Sequence, residues 1–137
     1  MAKATAPTVE RLLNDYDALF SGDLEKLDSV SESISLTLPL DEIHGRTELE
    51  ETIREMNAAF PDMQAETTAF VVDEETVMSE FTWRGTHEGA YEAIPPSGNE
   101  VEISGMATLI LSDGVVQEDR SYFDARSFLE QLGVDVG

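Results

Sequence analysis

The sequence predicts an α+β fold in which helices come first and an antiparallel meander follows. Three observations predict it. Apolar residues recur at helical spacing over residues 9–20 and 49–60. Four runs rich in β-branched and aromatic residues, at 64–72, 77–88, 101–111 and 115–123, read as strands. Between the last two, Ser112-Asp113-Gly114 has the composition of a tight hairpin turn.

Residues 1–7 are a polar lead-in, expected to fray. Val9, Leu12, Leu13, Tyr16, Leu19 and Phe20 then form one face of a helix that Thr8 can cap and Gly22 can stop. Asp23 caps a short second helix with Leu24, Leu27 and Val30 on one side. Ile34, Leu36 and Leu38 alternate with Ser35 and Thr37, a half-buried strand ending at Pro39. Residues 41–45 read as a loop or short hairpin. Thr47 and Glu50 have capping-box spacing and open a third helix, with Leu49, Ile53, Met56 and Phe60 on its buried stripe and Pro61 at its end. After the strands, Asp124 can cap a last short helix carrying Phe128, Leu129 and Leu132, closed by Gly133. No internal repeat, linker or low-complexity segment interrupts the 137 residues, which read as one domain, 1–137, long enough to bury a core.

Charge is the most unusual feature. There are 29 acidic residues against 8 Lys and Arg, a formal charge of −21, and the acids are spread along the whole chain. Such a coat repels itself unless salt screens it, with a Debye length of about 3 Å at 1 M. A high-salt cytoplasm is the expected setting; an acidic binding surface is the rival reading. Nucleic acid and anionic membranes are poor partners for this charge. There is no cysteine, hence no disulfide and no thiolate chemistry. The first residues, MAKATAPT, lack an apolar leader core, and no apolar run approaches the roughly 20 residues of a membrane span. An intracellular protein is expected.

The stretch FTWRGTHEGAYEAIPPSG, residues 81–98, carries a strand end, Gly85-Thr86-His87-Glu88-Gly89, and a Pro95-Pro96-Ser97-Gly98 turn. Together with Phe60-Pro61-Asp62, Asp113-Gly114, Asp124 and the closing Gln131-Leu132-Gly133, it resembles the SnoaL-like polyketide cyclase family over nearly the whole chain. The resemblance implies the cone fold shared with nuclear transport factor 2 and ketosteroid isomerase. In it a curved antiparallel sheet has three N-terminal-half helices packed on its concave face, plus a short C-terminal helix. It also implies a ligand cavity and a homodimer through the outer sheet face. The family often has Thr at Ser97 and Trp at Arg120, so this chain departs from it at both.

The resemblance implies an acidic residue at the cavity mouth where Asp124 stands, acting as a base beside a substrate carbonyl. Asp124 also suits a plain N-cap role. His87 shares a strand face with Phe81 and Trp83; there it can donate to an enolate oxygen or serve as a structural histidine. Tyr16, Phe81, Trp83, Met106, Arg120 and Tyr122 are candidate ligand-binding walls. Arg120 and Tyr122 fall on the same strand face as Asp124. If that face looks inward, Arg120 pairs with Asp124 and blunts it as a base. His44 reads as a loop residue. The two histidines have no zinc spacing, and no calcium loop, phosphate loop or dinucleotide fingerprint is present, so no metal or cofactor is expected. Three functions fit: a cofactor-independent cyclase or isomerase acting on an apolar ring ketone, a carrier of a small hydrophobic molecule, or a structural homodimer with a closed core.

Overall fold

The computed structural model describes residues 5–137. Helix α1 spans Ala6–Leu19 and a short 3₁₀ helix spans Leu24–Ser29. Strand β1 is Val30–Thr37, β2 is Glu42–His44, and helix α2 is Arg46–Ala59. Strands β3, Gln64–Asp73; β4, Thr76–Thr86; β5, Glu100–Ser112; and β6, Val115–Phe123, follow, and helix α3, Ala125–Gln131, closes the chain. The sheet is curved and its order is β2-β1-β6-β5-β4-β3. It is not wholly antiparallel: β1 lies parallel to β6. The 3.6-residue stripes of α1 and α2 bury Val9, Leu13, Leu19, Leu49 and Ile53 in one core with the inward residues of the sheet.

Several boundaries differ from expectation for identifiable reasons. The expected frayed lead-in partly lies outside the described residues, at 1–4. Within them, Thr5 caps α1, accepting from the Thr8 amide, and Pro7 supplies a preset φ in the first turn. Thr8 is therefore inside the helix and does not cap it. Thr47 forms no capping box either: the N-cap of α2 is Gly45, at φ 92°, which makes no side-chain cap bond. At the hairpin, Asp113 and Gly114 both take positive φ, as a tight β5–β6 turn requires.

Two bulges steer the inner face. The β3–β4 register shifts between Thr67 and Ala69, and the β5–β6 register shifts between Ile110 and Leu111. In the second, Leu111 pairs with Val116 but Ile110 pairs with Glu118, so Gln117 is the extra residue. Its side-chain amide donates to Ser33 on β1, which holds the bulge in place. A one-residue insertion exchanges the two faces of everything after it. Val116 points inward, and so do Asp119, Ser121 and Phe123, not Glu118, Arg120 and Tyr122.

The Gly85–Gly89 stretch docks the far end of β4 onto the end of α2. Asp62 accepts from the amide and the hydroxyl of Thr86, both at 2.7 Å, and these two bonds hold its carboxyl below the usual range. The amides of Glu88 and Gly89 both donate to the Ala59 carbonyl at 3.0 Å. A Cβ on Gly89 would stand 2.3 Å from the Ala58 carbonyl oxygen, so only glycine allows this approach.

Candidate functional site

Between α1, α2 and the inner face of the sheet lies a cavity of about 600 Å³. Most of its wall is apolar, including Phe20, Leu36, Met56, Phe60, Ile103, Leu109 and Phe128. Among the described residues no Lys, Arg or His lines it.

One buried polar cluster interrupts the apolar wall. Asp119, on β6 beyond the bulge, is 4% exposed. Its Oδ2 accepts from the Tyr16 hydroxyl at 2.5 Å, and its Oδ1 accepts from the Ser121 hydroxyl at 2.6 Å. Tyr16 reaches it from the buried stripe of α1, so the two sides of the cavity meet in this bond. Burial pushes the Asp119 carboxyl above the usual carboxylate range, and the bonds from Ser121 and Tyr16 offset only part of that. Burial, then the Asp119 charge, pushes the Tyr16 phenol well above its usual range. The pair thus holds an unusually basic carboxylate beside a phenol that stays protonated.

Four other carboxylates line the cavity: Asp41, Glu55 and Glu92 are exposed, and Asp17 is partly buried, with Thr67 occupying both its oxygens: the amide donates to one at 2.7 Å and the hydroxyl to the other at 2.8 Å. Burial raises its pKa against those two bonds. It ties α1 to β3 beside the first bulge and is a tether more than a free base. At the other end, Phe60 packs edge-on to Trp83, with ring centroids 4.9 Å apart, and touches Tyr91 and Phe128.

The residues singled out from sequence divide sharply. Tyr16, Phe81 and Trp83 line the cavity. Met106, Arg120 and Tyr122 do not: all three are exposed on the outer face, Met106 by 54% and Tyr122 by 64%, and Arg120 pairs with Glu118 at 3.2 Å, not with Asp124. The bulge at Gln117 is the physical reason for Arg120 and Tyr122; Met106 faces out by the plain alternation of β5, on the opposite side from Ala107 and Leu109. Asp124 is outside the cavity lining; it caps α3, its Oδ1 accepting from the Ser127 amide at 3.0 Å. His87 is fully buried but lies behind the wall, stacked on Phe60. Its Nδ1 accepts from the Ser97 amide and lies 2.9 Å from the Ser97 hydroxyl, which pins the Pro95–Gly98 turn to the sheet. His44 is exposed on β2, beside Glu42. Asp119 was missed because residues 117–121 contain no apolar residue, so no alternation marks which side faces in.

With this geometry, comparison with known proteins is informative. The family model of the SnoaL-like polyketide cyclases matches residues 10–132. The chain belongs to that family. Among solved structures, TsrD from Streptomyces laurentii superposes with a TM-score of 0.85 at 21% identity, covering 96% of this chain and 98% of that one. AclR from Streptomyces galilaeus, a proposed hydroxylase, gives 0.78 at 24% identity over 95% and 98%. IdmH from Streptomyces antibioticus, a proposed polyketide cyclase, gives 0.75 at 26% identity over 91% and 98%. Comparison with curated protein sequences gives no significant match. Within the SnoaL-like family frame, the described residues hold no group of three or more acidic or histidine side chains placed to bind a metal ion, and no helix long and apolar enough to cross a membrane.

Proposed function

We propose that this SnoaL-like protein is a cofactor-independent enzyme that moves a proton beside a carbonyl of an apolar ring substrate, with Asp119 as the acid/base. The observation that carries this reading is the Asp119 carboxylate, fully buried in the wall of an apolar cavity and made more basic by that burial. Asp119 takes a proton from the carbon next to the carbonyl, and the apolar wall excludes the water that would otherwise compete. Tyr16 and Ser121 keep the carboxylate aimed. Returned from Asp119 to a different carbon of the enolate, the proton completes an isomerisation; where the enolate carbon first attacks a second carbonyl of the same substrate, the proton goes to the new alkoxide oxygen and completes a ring closure. A cavity of this size does not fit the closed-core structural role, whereas a carrier uses the same space without the proton step.

The acidic coat suits a high-salt cytoplasm, where screening relieves its self-repulsion. The outer face, with Met106 cross-strand from Tyr122, suits a second copy of the chain.

The test uses 2-tetralone, a bicyclic ketone with an acidic carbon next to its carbonyl, and follows its deuterium uptake in D₂O by proton NMR. Wild-type protein is expected to accelerate exchange. Asp119→Asn, which keeps shape and hydrogen-bonding capacity, is expected to lower that rate by about 10²–10⁴-fold. Equal rates for the two proteins would remove the base; saturable binding without exchange would favour the carrier.

A further inference from the structure

A residue of the cavity wall carries a buried donor without a hydrogen-bond partner. Trp83 is 6% exposed, lines the cavity, and its indole Nε1–H has no hydrogen-bond partner. Its close ring neighbours are Phe60 and Phe128, which offer no lone pair. Buried N–H groups are nearly always satisfied, because leaving one unmade costs about 1–3 kcal/mol. An aromatic wall needs no N–H, and phenylalanine fills comparable space without that cost.

We propose that the Trp83 indole N–H is the donor that positions a ligand's oxygen, so that the cavity takes ring compounds bearing a carbonyl or ether oxygen at that end. The ligand oxygen lies against Trp83, flanked by Phe60 and Phe128, and its rings lie against Phe81 and Ile103. The nitrogen is covered as folded, so the indole turns to meet the oxygen. Trp83 pairs with Ile103 and Asp119 with Leu109, six residues apart on β5, or roughly 20 Å along the strand. The donor and the carboxylate therefore sit at opposite ends of one cavity. A ligand engaging both is elongated, with several fused rings, and its Trp83-bound oxygen is separate from the carbonyl that activates the carbon near Asp119. This rests on the ligand cavity of the preceding reading but not on its proton step.

Trp83 is the only tryptophan in the chain, so the indole N–H gives a single resolved signal in a ¹H–¹⁵N spectrum. Titration compares 2-tetralone with tetralin, the same skeleton without the oxygen. The ketone is expected to move the indole proton downfield; the hydrocarbon is expected to bind without that shift. Trp83→Phe is expected to weaken 2-tetralone about twofold to tenfold, the worth of one neutral hydrogen bond, and to leave tetralin nearly unchanged. An indole signal that stays put, or moves alike with both probes, while 2-tetralone binds overturns the proposal, as does equal weakening of both by the variant. A downfield shift supports the Trp83 contact whether or not deuterium exchange accompanies it, because a ketone held there lies at the far end of the cavity from Asp119; loss of exchange in Asp119→Asn is the separate readout of the proton step. Failure of 2-tetralone to bind at all overturns both.

Discussion

Replacing Tyr16 by Phe isolates the phenol that holds Asp119. The substitution removes one oxygen and keeps the ring, including its edge-on contact with Phe20 at 5.0 Å. Asp119 is then a buried carboxylate held by Ser121 alone. In the wild type, burial raises the Asp119 pKa above its unfolded value, so the native state holds its proton more tightly than the unfolded state. Stability from this group is fully present below the unfolded pKa and is lost as pH rises through the folded one. The Tyr16 bond opposes the rise, so Tyr16→Phe raises the folded pKa further and enlarges that loss. A hydrogen bond to a charged group contributes about 1.5–3 kcal/mol, and one between neutral groups about 0.5–1.5 kcal/mol. The variant is therefore expected to lose about 1.5–3 kcal/mol at pH 8 but only about 0.5–1.5 kcal/mol at acid pH, where Asp119 is protonated. Urea unfolding at fixed salt and several pH values measures this. With a slope near 2 kcal/mol per molar, the midpoint falls by about 1 M at pH 8. Any acid limb in the rate of ketone exchange moves to higher pH as well. A destabilisation that does not change with pH refutes the argument, because it means Asp119 is not charged against Tyr16 in the native state.

Asp124→Ala is expected to cost about 0.5–2 kcal/mol in urea unfolding through loss of the α3 cap, with 2-tetralone affinity unchanged; a loss of affinity would return Asp124 to the site. Gly89→Ala forces a Cβ to 2.3 Å from the Ala58 carbonyl, so it is expected to cost about 1–3 kcal/mol and to speed hydrogen exchange at the Glu88 and Gly89 amides; a wild-type midpoint would contradict the close approach. Light scattering after gel filtration is expected to report a dimer, and Met106→Lys on the outer face is expected to shift it to monomer; a wild-type monomer at tens of micromolar rules that interface out.

The fold was largely legible because its signals are local. Stripes such as Leu49-Ile53-Met56 name a helix whatever lies around it, and Asp113-Gly114 names a hairpin. The parallel β1–β6 pairing was not legible, since it joins segments about 85 residues apart and leaves no local mark. The site was half legible for the same reason. Trp83 and Phe81 sit on a strand whose alternation holds from Val77 to Gly85, so their inward direction follows from period two. On β6 the alternation carried forward from Val116 puts Arg120 and Tyr122 inside, and only a bulge at Gln117, fastened to a serine on another strand, reverses that. Asp124 was singled out through the family resemblance, and its N-cap role, also legible from its place before the last helix, is the one its side chain fills.

With 29 acidic residues in the chain, the presence of a carboxylate says nothing about chemistry, and burial becomes the discriminating quantity. Among the described residues Asp119 is the one acidic side chain that the fold buries. Keeping it there is unfavourable, since the same position filled by an apolar residue would avoid the desolvation cost altogether. The surface acids need only water and salt, but Asp119 needs Tyr16 from α1 and Ser121 from β6 to stay in place. Two elements distant in sequence thus support one group that weakens the fold, in the wall of the cavity between the helices and the sheet. A sequence that spends stability at one point, and builds partners around that point, is best explained by work done there. If Asp119→Asn is more stable than wild type at neutral pH and inactive in ketone exchange, both halves of that trade are measured on the same atom.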